Sequence, residues 1–443
     1  MKRFIASLLI VFSLTAKAQQ TEKQSHTFTL KQAIEHALQY NYSSINANRD
    51  IEISKQKKWE TTAGGLPQIN AGVDYQNFLK QPISLADLNQ DGVNEEFVFG
   101  TRQNMTGKVT LNQLIFDGSY IVALQASKAY LEYFVNAKKK TDSEIRAMVT
   151  SSYGNVLLAE ESTKVLERNQ TILEKNYSDI NQIYKNGLGE EESVEQIAIT
   201  LASIKSSLSN VKRLKEISLK MLKINLGVEI NDDLKLSDNL DTLSRNNLDL
   251  ALSTSEFEIN NSIDYQIASS LVTQKRLLLK LEKSKALPSL SSFVNLGATA
   301  NSNTFTFANA SQKWFASSLL GVSLNVPIFS SFARSARSQQ ARIAFEQSKT
   351  QQTETEQMLK LQYQKAKSDF EFSVEEYATA KSNLNLAERI ERKQQIKFKE
   401  GLSTSFEFSE AQRQLYATQQ SYLQSMVDVI NKRAALEKIT NKN

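Results

Sequence analysis

Two long stretches of this sequence follow one plan, about 214 residues apart. Val109–Phe116 reads V-T-L-N-Q-L-I-F, and Val322–Phe329 reads V-S-L-N-V-P-I-F. Leu66-Pro67 recurs as Leu287-Pro288 ahead of these blocks, and Ile183–Leu188 (I-Y-K-N-G-L) recurs as Lys397–Leu402 (K-F-K-E-G-L). A period of that length is too long for a short-repeat solenoid and marks a duplicated structural unit. Each copy holds two strand-like blocks, a very long helical pattern, a tight turn and a helical pattern running back. Such a chain has the outline of a channel component rather than a catalyst.

The strand blocks carry two faces. Ile69, Ala71, Val73 and Tyr75 alternate with Gln68, Asn70, Asp74 and Gln76, and Val109, Leu111 and the Leu114-Ile115-Phe116 end form a partner. In the second copy Leu290, Val294 and Leu296 alternate less cleanly, whereas Leu320, Val322, Leu324, Val326 and Ile328 alternate without a break. Strands of about ten residues with one apolar and one polar face suit a membrane barrel, and also a half-buried soluble sheet. Aromatic residues such as Phe78, Phe116, Trp314 and Phe329 gather near the strand ends, as in an interfacial girdle. Four strands cannot close a membrane barrel, whose smallest members have about eight. Several chains must share one.

Leu166, Leu173, Tyr177, Ile180 and Tyr184 form a heptad-like stripe before the first turn, and Val194, Ile197, Leu201, Ile204, Leu208 and Val211 form one after it. Tyr416, Leu423, Val427, Ile430 and Ala434 continue the pattern in the second copy. A helix from Tyr120 to Lys185 would be roughly 100 Å long, too long for a compact domain.

Composition narrows the function. With no cysteine and only His26 and His36 as imidazoles, thiol chemistry is excluded and zinc sites or His-dependent triads have little material. No nucleophile, base and orienting group fall together, and no phosphate loop appears, so an enzyme is not expected. The formal net charge of +5 is spread along the chain without a basic stripe, which argues against nucleic acid as a partner. Lys2, Arg3, the apolar run Phe4–Leu14 and Ala16-Lys17-Ala18 have the pattern of a signal peptide over residues 1–18. Downstream, no apolar run is long enough for a membrane helix, so membrane entry requires a closed barrel.

In this order and duplication, the motifs resemble the TolC family of trimeric outer-membrane efflux and secretion channels, over nearly the whole mature chain. Thr29–Leu38 is like the family's opening helix, with Thr29 and Gln32 placed for a capping box. The Leu-Pro pairs, the Pro327-Ile328-Phe329 end and the aromatic-x-x-Gly turns complete the resemblance. It implies an α+β membrane protein with four transmembrane strands per chain on duplicated coiled-coil helices. Three chains would make a 12-strand barrel in the outer membrane on an α-helical periplasmic tunnel. The expected division is a first repeat over 19–227, with strands 66–78 and 107–116 and a helical hairpin 118–227. An equatorial linker (228–253) would lead to a second repeat over 254–443, with strands 288–299 and 318–329 and a hairpin 331–440. The implied partners are two further copies of the chain, outer-membrane lipid, a periplasmic adaptor (membrane fusion protein) and an inner-membrane pump.

The turns then become the candidate site. Tyr184 and Gly187, with Phe398 and Gly401, fall at the periplasmic hairpin tips where the adaptor docks. Gly187 and Gly401 would supply the positive φ that ends each helix. Tyr184 and Phe398 fit either a latch or adaptor contact, or rings that cap the apolar seam. Glu407 and Glu410, three residues apart on one helical face, match acidic positions that line the family's closed aperture. By symmetry six carboxylates would converge into a gate ring, which draws cations and favours protonation or dilation. The first copy has Ser193 and Gln196 there, with Glu190, Glu191, Glu192 and Glu195 nearby, and Ser403 stands where some relatives have an arginine of a tip salt bridge. Separately, Asp87, Asn89, Asp91 and Glu95 have the oxygen spacing of a calcium loop between the first two strands, though Val98 stands at the twelfth place. An Asp-Gly turn has the same look.

The expected function is a passive exit duct for small molecules delivered by a pump and adaptor. A duct for secreted protein is the alternative cargo, and a soluble periplasmic coiled-coil scaffold is the alternative of another class.

Overall fold

The computed structural model describes residues 25–86, 92, 94–254 and 256–441. The expected signal peptide lies outside them. In chain order the elements are β1 (Ser25–Phe28), α1 (Leu30–Tyr40), α2 (Tyr42–Ala63), β2 (Gln68–Asn77), β3 (Ile83–Ala86), β4 (Glu95–Val98), β5 (Gln103–Asp117), α3 (Gly118–Lys185) and α4 (Glu191–Leu226). There follow β6 (Asp233–Leu236), α5 (Leu240–Asn246), α6 (Ala251–Thr254), α7 (Ile263–Ser284), β7 (Ser289–Ser302), β8 (Phe315–Asn325), α8 (Ala333–Lys399) and α9 (Ser405–Thr440). They form two compact units, one of residues 48–137 and 263–357, the other of the remaining described residues.

In the first of these units β2, β5, β7 and β8 make one antiparallel sheet in that order. Its register sorts the side chains. Ile69 pairs with Leu111, Leu111 with Val294 and Val294 with Leu320, while Ala71, Val109 and Leu296 make the next row. Paired residues project to the same side of a sheet, so these rows form one apolar face across all four strands. The opposite face is mostly polar, with Thr110 donating to Asn295 at 2.7 Å and Asn104 donating to Asn301 at 2.7 Å, and it also carries Leu114, Phe293, Phe315 and Leu319. A bulge between Leu114 and Phe116 sets Phe116 opposite Leu290, which puts the Phe116 ring on the apolar side.

The strands differ from expectation at their ends. β5 is longer, starting at Gln103, and β8 stops at Asn325 rather than running to Phe329. Pro327 has no N–H for a ladder, and Ser331 and Phe332 then take positive φ (48° and 64°) as the chain turns into α8. Gly321 is fixed by contact: a Cβ there would lie 2.3 Å from the Phe293 ring, which covers it from β7.

The other unit is helical. Its main core gathers Ala33 and Ala37 of α1, Val149, Tyr153 and Val156 of α3, Leu222 and Leu226 of α4, Phe370 of α8, and Val427, Ile430 and Leu436 of α9. β1 pairs in parallel with β6, joining Ser25–Phe28 to the segment expected to be a linker. That segment is structured: Leu234 and Leu240 are buried, and Asp238 Oδ2 accepts the Leu30 N–H at 2.6 Å and lies 2.9 Å from the Tyr153 hydroxyl. The capping box of α1 forms between Thr29 and Gln32. Toward the first turn, a separate cluster of Leu166, Leu173 and Ile180 of α3 with Ile197, Leu201, Ile204 and Leu208 of α4 zips the hairpin.

Candidate functional site

Both hairpins end in the same backbone device. Leu188 N–H bonds Ile183 carbonyl at 3.1 Å and Gly187 N–H bonds Tyr184 carbonyl at 2.9 Å; Leu402 to Lys397 (2.8 Å) and Gly401 to Phe398 (3.1 Å) repeat it. These are Schellman motifs, in which the residue after the helix cap adopts the left-handed region. Gly187 and Gly401 have φ of 73° and 69° with no atom near a would-be Cβ, so conformation and not crowding selects glycine. The residue after each glycine is a solvent-exposed leucine, Leu188 at 81% and Leu402 at 77%.

A cleft of about 710 Å³ lies between the two tips. Ile180, Ile183, Phe398 and Phe408 form its apolar lining, and Asn176, Gln395 and Ser403 are among its polar groups. Phe398 stacks on the buried Phe408, rings 5.3 Å apart and 15° from parallel. Phe398 also packs against the α3–α4 seam, so it closes the apolar interior, whereas Tyr184 is 37% exposed. Ser193 donates to Ser405 at 3.0 Å, tying the starts of α4 and α9.

Glu407 and Glu410 are both exposed on the first turns of α9, and each is engaged within its own chain. Thr404 and Glu407 form a capping box: Glu407 N–H donates to Thr404 Oγ1 at 3.2 Å and Thr404 N–H to Glu407 Oε2 at 3.1 Å. Ser403 donates to the same oxygen at 2.7 Å. The Ser403 hydroxyl, followed by the Thr404 N–H, holds the Glu407 carboxyl below its usual range. Glu410 pairs with Arg413 one turn on. At the first tip, Glu190 caps α4 without a side-chain bond, and Glu191 and Glu192 occupy its first turn.

Between the main core and the tips, α3 and α9 also meet through polar side chains, which the apolar stripes did not reveal. Asn169 donates to Gln419 at 2.8 Å and Ser162 to Gln420 at 3.3 Å. Nearer the tip, Gln412 is fully buried beside Glu391. Burial pushes the Glu391 carboxyl up, with Gln412 and Arg392 acting in the other direction. The signal was present as Ser162, Asn169 and Asn176, one polar residue per heptad of α3.

Of the calcium candidates, Asp87, Asn89 and Asp91 lie outside the described residues, and Glu95 opens β4 opposite Ala86. Among the described residues no group of three or more acidic or histidine side chains is placed to hold a metal.

The outer membrane efflux protein family matches residues 261–442. CusC, described as forming a transmembrane channel, superposes with a TM-score of 0.74 at 16% identity, over 93% of this chain and 92% of its own. The outer membrane channel CmeC of Campylobacter jejuni gives 0.72 at 17% identity, over 93% and 85%. The open-state outer membrane channel MtrE of Neisseria gonorrhoeae gives 0.72 at 17% identity, over 93% and 88%. The family match covers the C-terminal two-fifths of the chain, and the solved channels share its fold over nearly its whole length. No curated protein matches it in sequence. Among the described residues its four long strands form an open sheet, as one chain's share of a barrel would.

Proposed function

We propose that this protein is the passive outer-membrane exit duct of a tripartite efflux system. Small molecules reach it from an inner-membrane pump through a periplasmic adaptor, cross the tunnel and leave through the barrel. The observation that carries this reading is the sheet: one face apolar from β2 to β8, the other lined mainly by amides and hydroxyls, with apolar side chains such as Phe293 and Leu319 among them. That is a wall with lipid on one side and water on the other.

The hairpin tips are the docking end in this reading. Each offers a rigid glycine turn followed by an exposed leucine, Leu188 or Leu402, which an adaptor can cover. Glu407 and Glu410 stand beside the second turn as the gate ring. A closed aperture would bring their negative charge together across three chains, and opening would relieve it.

The absence of native cysteine makes the test direct. Lys399→Cys, carrying a photocrosslinker, is expected to capture a periplasmic adaptor in living cells. The adaptor of a proton-driven pump fits small-molecule efflux, and that of an ATP-driven exporter would replace it by protein secretion. Efficient labelling with no adaptor captured would remove the docking assignment. Recovery of the whole protein from the soluble periplasm would overturn the duct itself.

A further inference from the structure

The water-facing side of the sheet is almost free of charge. Among the described residues on that face of the four strands, the charged side chains are Asp74 on β2, Lys108 on β5 and Asp117 at the inner end of β5. Asp117 keeps its charge where the chain enters α3, its Oδ1 accepting the Ser119 N–H and hydroxyl, both at 2.6 Å; nine residues from Lys108 along β5, roughly 30 Å, it lies beyond the screening length. Asp74 and Lys108 remain, both well exposed, with Nζ 3.8 Å from Oδ2. Around them the face is neutral: Thr106 and Thr299 hydroxyls share a hydrogen bond at 3.2 Å, and Thr110 bonds Asn295.

The placement of the lysine is specific. Lys108 pairs with Gly72 on one side and Gly297 on the other, so neither neighbour covers its stem. That leaves the chain room to lean across β2 to Asp74, which sits opposite Thr106, one side-chain row further along this face. In a barrel of three chains the pair recurs three times at one level. Three carboxylates and three ammonium groups then cancel.

We propose that Lys108 is a selectivity-determining residue of the duct: it neutralises the Asp74 ring and leaves that level of the barrel indifferent to the sign of the permeant charge. The proposal rests on the duct reading and on the apolar face meeting lipid. Its consequence is that this level of the barrel admits anionic and zwitterionic solutes as readily as cations, with charge preference set elsewhere along the path. Rings of like charge select ions when nothing cancels them, and their reach at physiological salt is about 8 Å. Loss of the lysine therefore exposes three carboxylates to the ion path.

The test is the reversal potential of purified trimers in planar bilayers under a KCl gradient. It is made with native tips and again with Glu407→Gln and Glu410→Gln, which remove tip charge from the reading. Lys108→Gln is expected to raise the cation-to-anion permeability ratio about threefold, more at low salt. Asp74→Asn is expected to shift it toward anions, and the double variant to return to the parent value. A second route is Lys108→Cys labelled with thiol reagents of either charge, which should move the potential in opposite directions. Unchanged potentials in both single variants and after labelling would overturn the proposal, as would a shift in the same direction for both. Failure of the unmodified protein to conduct at all would instead overturn the duct reading.

Discussion

At the scale of single residues, the tip carboxylates illustrate how a charge can hold two roles. Glu407 is the return half of the capping box that starts α9, and Ser403 and Thr404 keep its carboxyl below the usual range. Glutamine serves equally well at that position of a capping box. Glu407→Gln with Glu410→Gln should therefore keep α9 capped while weakening cation selectivity in bilayer recordings. Glu407→Ala should also fray the turn, seen as faster amide exchange at Ser405 to Phe408. Equal exchange in the two variants would show the cap to be unimportant. His36 gives a second test. Burial lowers its pKa, the bond from Nδ1 to the Leu226 carbonyl (3.1 Å) opposes this, and the nearby His26 adds to the lowering. A folded value below the unfolded one near 6.5 means that protonation favours unfolding. Its contribution is whole above that value and is lost as pH falls through the folded one. The melting temperature should drop between pH 7 and pH 5, and less so in His36→Gln; an equal drop in both would assign the slope to other groups.

At the scale of elements, the strand faces follow from the register. Val322 pairs with Ser292 and Leu324 with Leu290, in line with the row through Leu320 and Val294. Val322→Asp or Leu324→Asp puts a carboxylate on the lipid side, at a cost of up to about 2 kcal/mol per chain near the bilayer centre. Lower yield of heat-stable trimer in the membrane fraction is expected, and normal yield for both would invert the sheet. Much of this was legible in the sequence, because alternation and heptads record which side of an element is wet. The rows at Ile69 and Val109 and the seam at Leu173 and Ile197 were readable for that reason. The bulge at Leu114–Phe116 was not, since three apolar residues in a row hide a change of face. Nor was the β1–β6 pair: four-residue strands some 200 positions apart carry too little pattern to be matched. The capping box of α9 is legible as Thr404-x-x-Glu407 ahead of a helical pattern, a spacing in which one glutamate carries both the cap and the tip charge.

At the scale of the whole molecule, one chain is an incomplete wall. β2 and β8 are the two edges of the sheet, and each presents unpaired backbone groups to whatever lies beside it. In hydrocarbon such an edge must find a partner. With three copies, the natural closure sets β2 of one chain against β8 of the next, and this can be tested covalently because the protein contains no cysteine. Within a chain the two edges are three strand spacings apart, about 14 Å, while a disulfide needs Cα atoms about 5.5–6 Å apart. A cysteine at Ala71 in β2, combined in turn with cysteines at Ala316, Ser318 or Leu320 in β8, therefore cannot bridge within one sheet. On oxidation in the membrane, at least one combination should give linked dimers and a linked trimer, and the cyclic trimer should be the end product. Crosslinks that stop at dimer would mean an open or twofold assembly. None at any register would mean that these edges do not meet, and the barrel would have to close in another way.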